Sequence, residues 1–305
     1  MLIQKTDHTF RFAKRTVCVR SEQAVASRNA NRVTILGVAR SSFNALVYWE
    51  RRQENGSSFG DLLLLNHARR LVTKNIIMPF GCAWSADGKY VLTENLLIEA
   101  KSGRVAHLPT GFAGGFLGYI WSPRHDAFAY RPYGGKRFTL TQLRPTSTNP
   151  LAFQSRVVSA QQCAPVMGPA YAPAELHLEA TRGRGYTATG SSDLLLSPNG
   201  QFAVAQGLFK RFSQVGEGLS EGDRILVDVF QGSHRSLRLN FPLKNYVDFA
   251  VWSRDSRYVL GVCRTFDNEV LPRLALLDIE SRRIAYTNAA LRNEDLWVDL
   301  YPIWH

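Results

Sequence analysis

An all-β fold, a single β-propeller over residues 1–305, is what this sequence predicts, and three observations predict it. An apolar run ending in Trp-Ser or Leu-Ser recurs four times, a four-residue turn rich in Asp, Asn, Gly and Pro follows each, and alternating apolar residues then return. The copies are GCAWSADGKYVLTE from Gly81, GYIWSPRHDAFAYR from Gly118, DLLLSPNGQFAVAQ from Asp193 and FAVWSRDSRYVLGV from Phe249. Alternation on both sides of a short turn is the pattern of a β-hairpin. A hairpin recurring at a period of about 20 to 50 residues marks a repeat architecture.

The turn serines stand at 85, 122, 197 and 253, so the intervals are 37, 75 and 56 residues. The middle interval has room for two units, which places a degenerate copy between 150 and 190. A further copy, VARSSFNALVYWER, puts Ser42 at the turn position without the tryptophan. A third strand and turn follow each hairpin, as in LALLDIESRRIAYT, DLLLLNHARRLVTK and LLIEAKSGRVAHL. Four short antiparallel strands per unit make a propeller blade. The expected blades span 33–76, 79–112, 117–146, 150–190, 191–240 and 246–290, with a seventh built from 295–305 and 1–32. Six blades result if 147–190 is an insertion. WVDLYPIWH at the end supplies a first strand and HTFRFAKRTVCVR at the start supplies outer strands, so the shared blade closes the ring and removes exposed edges.

Trp84-Ser85-Ala86-Asp87-Gly88-Lys89 resembles the W-S-P-D-G-K turn of TolB-like and WD40-like propeller repeats. Trp121 to Asp126 keeps the proline and loses the glycine, Trp252 to Arg257 keeps Asp255 with Ser256 at the glycine position, and Ser197 to Gly200 keeps the turn without the tryptophan. The resemblance covers about two thirds of the chain and implies a propeller without implying a function, because such blades serve as scaffolds, receptors and enzymes. The tryptophans are expected to pack between blades. The bacterial TolB protein carries an export signal, and none is visible here.

With 45% apolar and 20% charged residues the chain can bury a substantial core. The net charge is +12, and with eight lysines among 37 basic residues, 29 are arginine. That balance favours an acidic partner, protein or nucleic acid. Cys18, Cys82, Cys163 and Cys263 form no C-x-x-C pair, and the histidines never occur at metal-ligand spacing, so neither cofactor nor metal is expected. The start, MLIQKTDHTFRFAKRTVCVRSEQ, is broken by charge, and no run of about 18 apolar residues appears, so membrane insertion is not expected and the cytoplasm is the expected location.

Two motifs could carry chemistry. Gly56-Ser57-Ser58-Phe59-Gly60 matches a nucleophile elbow, which needs a strand before the serine and a helix after it. A polar run precedes it and the strand-like DLLLLN follows, so it reads as a hairpin loop. Gly216 to Gly222 falls one residue off a dinucleotide fingerprint and reads as a blade insertion. The candidate partner-binding residues are instead basic: Arg69, Arg70, Lys136 and Arg137 near turns, Arg182 and Arg184 in the RGG-like Arg182-Gly183-Arg184-Gly185-Tyr186, and Lys210 and Arg211 at the start of a long loop. PVMGPAYAP, from Pro165, reads as an extended connection before the RGG-like stretch. The leading expectation is a non-enzymatic scaffold that binds an acidic partner through one basic rim. The alternatives are a hydrolase or lyase with a site at the channel mouth, and a structural subunit of a larger assembly.

Overall fold

The computed structural model describes residues 2–12, 15–25, 33–39, 44–54, 57–65, 69–77, 79, 82–93, 95–108, 119–130, 137–182, 186–187, 194–209, 223–264, 273–287 and 302–304. They form two compact units, one of Met1–Gln4 and Gln23–Ser159, the other of Lys5–Glu22 and Ala160–His305.

The first unit contains three four-stranded antiparallel sheets, each a meander in which consecutive strands pair. One is β3 (Val33–Val38), β4 (Ala45–Glu54), β5 (Ser57–Leu65) and β6 (Arg69–Ile77). The second is β7 (Ala83–Trp84), β8 (Tyr90–Leu92), β9 (Leu96–Glu99) and β10 (Val105–His107). The third is β11 (Tyr119–Trp121), β12 (Ala127–Tyr130), β13 (Phe138–Leu143) and β14 (Phe153–Val158). Neighbouring sheets share cores. Leu46, Tyr48, Leu62 and Leu64 of the first meet Val91, Leu96 and Ile98 of the second, whose Tyr90, Leu92 and Leu97 meet Tyr119, Phe128 and Tyr130 of the third.

The second unit holds two helices, α1 (Ala160–Met167) and α2 (Tyr171–Arg182), and three sheets. In one, β15 (Tyr186–Thr187) and β16 (Leu194–Leu196) both pair with β17 (Phe202–Phe209), which continues to β18 (Arg224–Gln231) and β19 (His234–Pro242). Another is the meander of β20 (Tyr246–Trp252), β21 (Tyr258–Arg264), β22 (Arg273–Asp278) and β23 (Arg283–Tyr286). The last has the order β1 (Leu2–Phe12), β2 (Arg15–Val25) and β24 (Pro302–Trp304), so the two ends of the chain share a sheet, with Val19 opposite Trp304. Phe10 and Val17 pack onto Val251, Leu260, Leu274 and Leu276 of the β20–β23 sheet. The four-stranded meander is the blade of the β-propeller class.

The turn chemistry explains why these sequences make hairpins. Ser85 Oγ donates to Asp87 Oδ1 at 2.8 Å and accepts from Tyr90 N at 3.0 Å, while Asp87 Oδ1 also accepts from Lys89 N at 3.0 Å. Ser197 repeats the set with Asn199, Phe202 and Gln201, and Ser253 with Asp255, Tyr258 and Arg257. In each copy the serine N–H donates to the carbonyl five residues on. Ser122 keeps that bond and accepts from Arg124 N and His125 N instead. The same bond runs from Ala39 N to Asn44 O at 2.7 Å, so the first copy has Ala39, not Ser42, at the turn position, and 46 residues separate it from Ser85.

The tryptophans tie sheet to sheet, as expected of them. Trp121 Nε1 donates to Ala83 O at 2.9 Å and Trp252 Nε1 donates to Leu195 O at 3.1 Å. Each acceptor lies two residues before the turn serine of the preceding sheet. Trp121 also stacks on Tyr90, and Trp252 on Phe202. Trp84 meets no such acceptor among the described residues, and β3, which would supply it, has a bulge between Ile35 and Gly37.

The degenerate blade expected at 150–190 is not a sheet. β14 completes the preceding meander, and the two helices follow, so six sheets form among the described residues where seven were expected. Composition accounts for the helices: Ala, Leu, Glu and Met are strong helix formers, and buried Tyr171, Ala174 and Leu178 recur at helical spacing. Pro173 sits in the first turn of α2, where its missing N–H costs no hydrogen bond. PVMGPAYAP is therefore the end of α1, a turn and the start of α2 rather than an extended connection. Gly168 ends α1 at φ +104°, and a Cβ there would lie 2.5 Å from Gly200 O, so the helix pair can seat on the β16–β17 turn only with glycine.

α2 packs against β17. The β17 residues alternate to suit it. Val204 and Gln206 point toward the β20–β23 sheet, leaving small Ala203, Ala205 and Gly207 on the other face. Gln206 spans to the bulge in β20, donating to Phe249 O at 2.7 Å and accepting from Phe249 N at 3.0 Å.

Two substitutions test this account. Trp252→Phe is expected to lower stability by about 1–3 kcal/mol, because Leu195 O loses its partner, read as a fall in the urea midpoint at unchanged m-value. Arg282 holds φ +56° at the turn position that Gly103 fills in the second sheet. Arg282→Gly is expected to raise stability by about 0.5–1 kcal/mol, and a lower melting temperature would contradict that reading.

Candidate functional site

In a meander, successive connections alternate between the two ends of the sheet. The first and third connections fall at one end, most of them tight: 85–89 and 100–104 in the second sheet, 122–126 and the longer 144–152 in the third, 253–257 and 279–282 in the β20–β23 sheet. The second connections, and those leading to the next sheet, fall at the opposite end and include the long stretches 108–118, 131–137 and 210–223. Trp121, at the end of β11, bonds beside the end of β7, so the second and third sheets are oriented alike.

This alternation separates residues that were expected on one rim. Arg69 and Arg70 open β6 after a third connection and belong to the tight-turn end, as do Arg282 and Arg283. Arg137, exposed, precedes β13 after a second connection and belongs to the opposite end. Lys136 lies outside the described residues. Arg182 is the last residue of α2. Arg184, Lys210 and Arg211 lie outside the described residues. The long stretch that begins with Lys210 and Arg211 also carries Glu217, Glu221 and Asp223, which offset its charge.

The tight-turn ends are richer in exposed cations than sequence reading anticipated. In the first unit Lys101 and Arg104 occupy the β9–β10 turn, Arg124 the β11–β12 turn and Arg144 the β13–β14 connection, all exposed. In the second unit Arg254 and Arg282 occupy equivalent turns, and Arg235 and Arg283 stand at the start of the strands that follow such turns, all exposed. Acids at this end are largely tied into turn structure. Asp87 pairs with Lys89 at 2.7 Å, Glu99 accepts from Ser102, and buried Asp278 accepts from Ser281. Burial alone would push the Asp87 carboxyl up, but its bonds to Lys89 and Ser85 leave it below the usual value. The cations were missed because adjacent pairs such as Arg69-Arg70 stand out in a sequence, whereas Lys101, Arg124 and Arg144 are brought to one end only by the meander.

One polar cluster had no sequence signal. Asp228 on β18, 2% exposed, accepts from Arg238 Nε at 2.7 Å and Nη2 at 2.8 Å, its cross-strand partner on β19. His177 Nε2 of α2 lies 2.7 Å from the second carboxylate oxygen, with its ring 5.4 Å from that of Phe230, and Arg235 Nε lies 3.9 Å from the first oxygen. The cluster pins α2 to the sheet. Burial acts to raise the Asp228 carboxyl, and the hydrogen bonds from Arg238 and His177 outweigh it, leaving it below its ordinary value. Among the described residues no group of three His, Cys, Asp or Glu side chains could hold a metal ion, and no helix is long and apolar enough to cross a membrane. Ser57 and Phe59 of the serine motif lie in β5, paired with β4, so a strand and not a helix follows the serine.

No protein-family model matches the chain, and neither does any curated protein. Among solved structures it is similar to TolB from Acinetobacter baumannii, at 14% identity and a TM-score of 0.44 over 98% of this chain and 66% of that one. The periplasmic gluconolactonase of Pseudomonas aeruginosa matches at 15% identity and a TM-score of 0.41, over 94% and 82%. A prolyl endopeptidase matches at 10% identity and a TM-score of 0.46, over 95% and 42%. The chain thus spans just under two thirds of the TolB protein, and identities this low transfer no activity.

The Asp228 cluster makes a prediction about pH. A carboxyl lowered by folding contributes stability that is fully present above its unfolded value, about 3.9, and is lost as pH falls through the lower folded value. Asp228→Asn is therefore expected to be less stable than the parent at pH 7 and to lose less on going to pH 3, seen in urea melts across the range. Equal losses in both proteins would show that the cluster does not carry the acid limb.

Proposed function

We propose that this chain is a non-enzymatic binding module of the β-propeller class that takes an acidic macromolecular partner on the tight-turn end of its sheets. The observation that carries this reading is the placement of exposed cations. Lys101, Arg104, Arg124 and Arg144 in the first unit, and Arg235, Arg254, Arg282 and Arg283 in the second, stand on or directly beside connections at one end of their own sheets. The net charge of +12 supplies long-range attraction toward an anion, effective over a Debye length of about 8 Å at physiological salt.

Turn rigidity supports the same reading. The serine and Asx bonds fix the backbone from which these side chains project, so fewer degrees of freedom are lost when a partner binds. Arg137 lies at the opposite end of its sheet and is not part of this surface.

The test is binding to two chemically different polyanions, poly-L-glutamate and duplex DNA, by fluorescence anisotropy at about 50 mM salt, where phosphate contacts are strong. At least one is expected to bind, and the charge reversals Arg104→Glu with Arg124→Glu are expected to weaken it at least tenfold. Failure of both polyanions to bind would overturn the proposal.

A further inference from the structure

We infer that the tight-turn end of the first unit docks the phosphate backbone of a nucleic-acid duplex, an inference that rests on the acidic-partner reading above and gives the partner its chemistry. Two consecutive sheets present exposed cations there. Lys101 and Arg104 lie on the β9–β10 turn, and Arg124 and Arg144 lie on the first and third connections of the third sheet. The two sheets are locked together by a shared core and by the Trp121 to Ala83 bond, so these cations stand in a row whose interval is set by the spacing of stacked sheets, about 10 Å.

A row with a fixed interval is matched by a polymer whose charges are also regular and rigidly held. A duplex satisfies that condition, with one charge per about 1.7 Å of axis. An acidic protein segment has irregular carboxylates on a chain that must be ordered to fit. Three of the four cations are arginine, whose planar fork donates two parallel bonds to one phosphate. Asp87, Glu99 and Asp126 share this end, but the cations outnumber them, Asp87 pairs with Lys89, and Glu99 accepts from Ser102 within its own turn. Contacts of this kind position a protein on the backbone and carry no base information, so binding independent of sequence is expected.

The experiment measures the affinity of the full chain for a short mixed-sequence duplex DNA, and for poly-L-glutamate, across a salt series. Contact with about four phosphates gives a slope of log affinity on log salt near −3.6, and loss of two contacts reduces it by about 1.8. The Lys101→Ala/Arg104→Ala protein is expected to show that reduction at unchanged melting temperature, while Arg137→Ala, at the opposite end of the sheet, leaves the slope as it was. Binding of poly-L-glutamate without the duplex would overturn this inference and leave the acidic-partner reading standing. Binding of neither would remove both. A duplex slope unchanged in the double variant, or reduced as much by Arg137→Ala, would overturn the siting.

Discussion

A buried serine hydroxyl closes the tight turn in three of the hairpins, and the rest of the architecture hangs on it. Ser85, Ser197 and Ser253 are each under a tenth exposed, and each both donates to the acidic or amide side chain two residues on and accepts from the backbone N–H five residues on. A hydroxyl suits the position because it donates and accepts at once, and so satisfies an N–H that would otherwise be buried without a partner. Fixing the turn fixes the register of the first two strands. That register sets which face the indole of the next sheet meets, and the Trp121 and Trp252 bonds reach the same position of the preceding copy for that reason. Turn chemistry, strand register and inter-sheet packing are one constraint seen at three scales.

The helix pair shows how the constraint is relaxed where the repeat fails. Without a hairpin between 160 and 182, the β15–β19 sheet must still cover the face of β17 that points away from Trp252. Ala203, Ala205 and Gly207 keep that face of β17 small where α2 packs on the strand, and Ala174 and Leu178 of α2 are buried. The cost is a buried carboxylate, Asp228, on that same face of the sheet. Arg238 and His177 compensate it, so a site that resembles a catalytic pair in composition is explained as a clamp between helix and sheet.

How much of this was legible in the sequence follows from where the determinants lie. Hairpins built on Trp-Ser or on Ser-Pro-Asn-Gly were readable because their chemistry is local: the residues that form each turn are within five positions of one another. Ala39 was misplaced because a neighbouring Ser-Ser pair mimics the turn residue, and only the backbone bond to Asn44 distinguishes them. The helices at 160–182 were obscured by four prolines, Pro165, Pro169, Pro173 and the earlier Pro150, which suggest an irregular segment even though one sits in a first turn and another between helices. The His177–Asp228–Arg238 cluster could not be read at all, since its members come from three elements and are separated by 51 and 10 residues.

The candidate surface was half legible for a related reason. Charge is a property of residues, whereas a charged face is a property of topology. Arg69-Arg70 and Lys136-Arg137 look equivalent in the sequence, both basic pairs beside turns, yet one follows a third connection and the other a second. Because a meander reverses direction at every strand, connections of odd and even order can never share an end of their sheet. Tight turns also hold their side chains outward on a backbone already fixed by hydrogen bonds, whereas a long connection must be ordered before it can present a charge in a defined place. Lys101, Arg104 and Arg124 stand on the short connections 100–104 and 122–126, whereas Lys210 and Arg211 share the stretch 210–223 with three acids. In a repeat fold, which connection carries a cation decides what it can bind more than how many cations the chain contains.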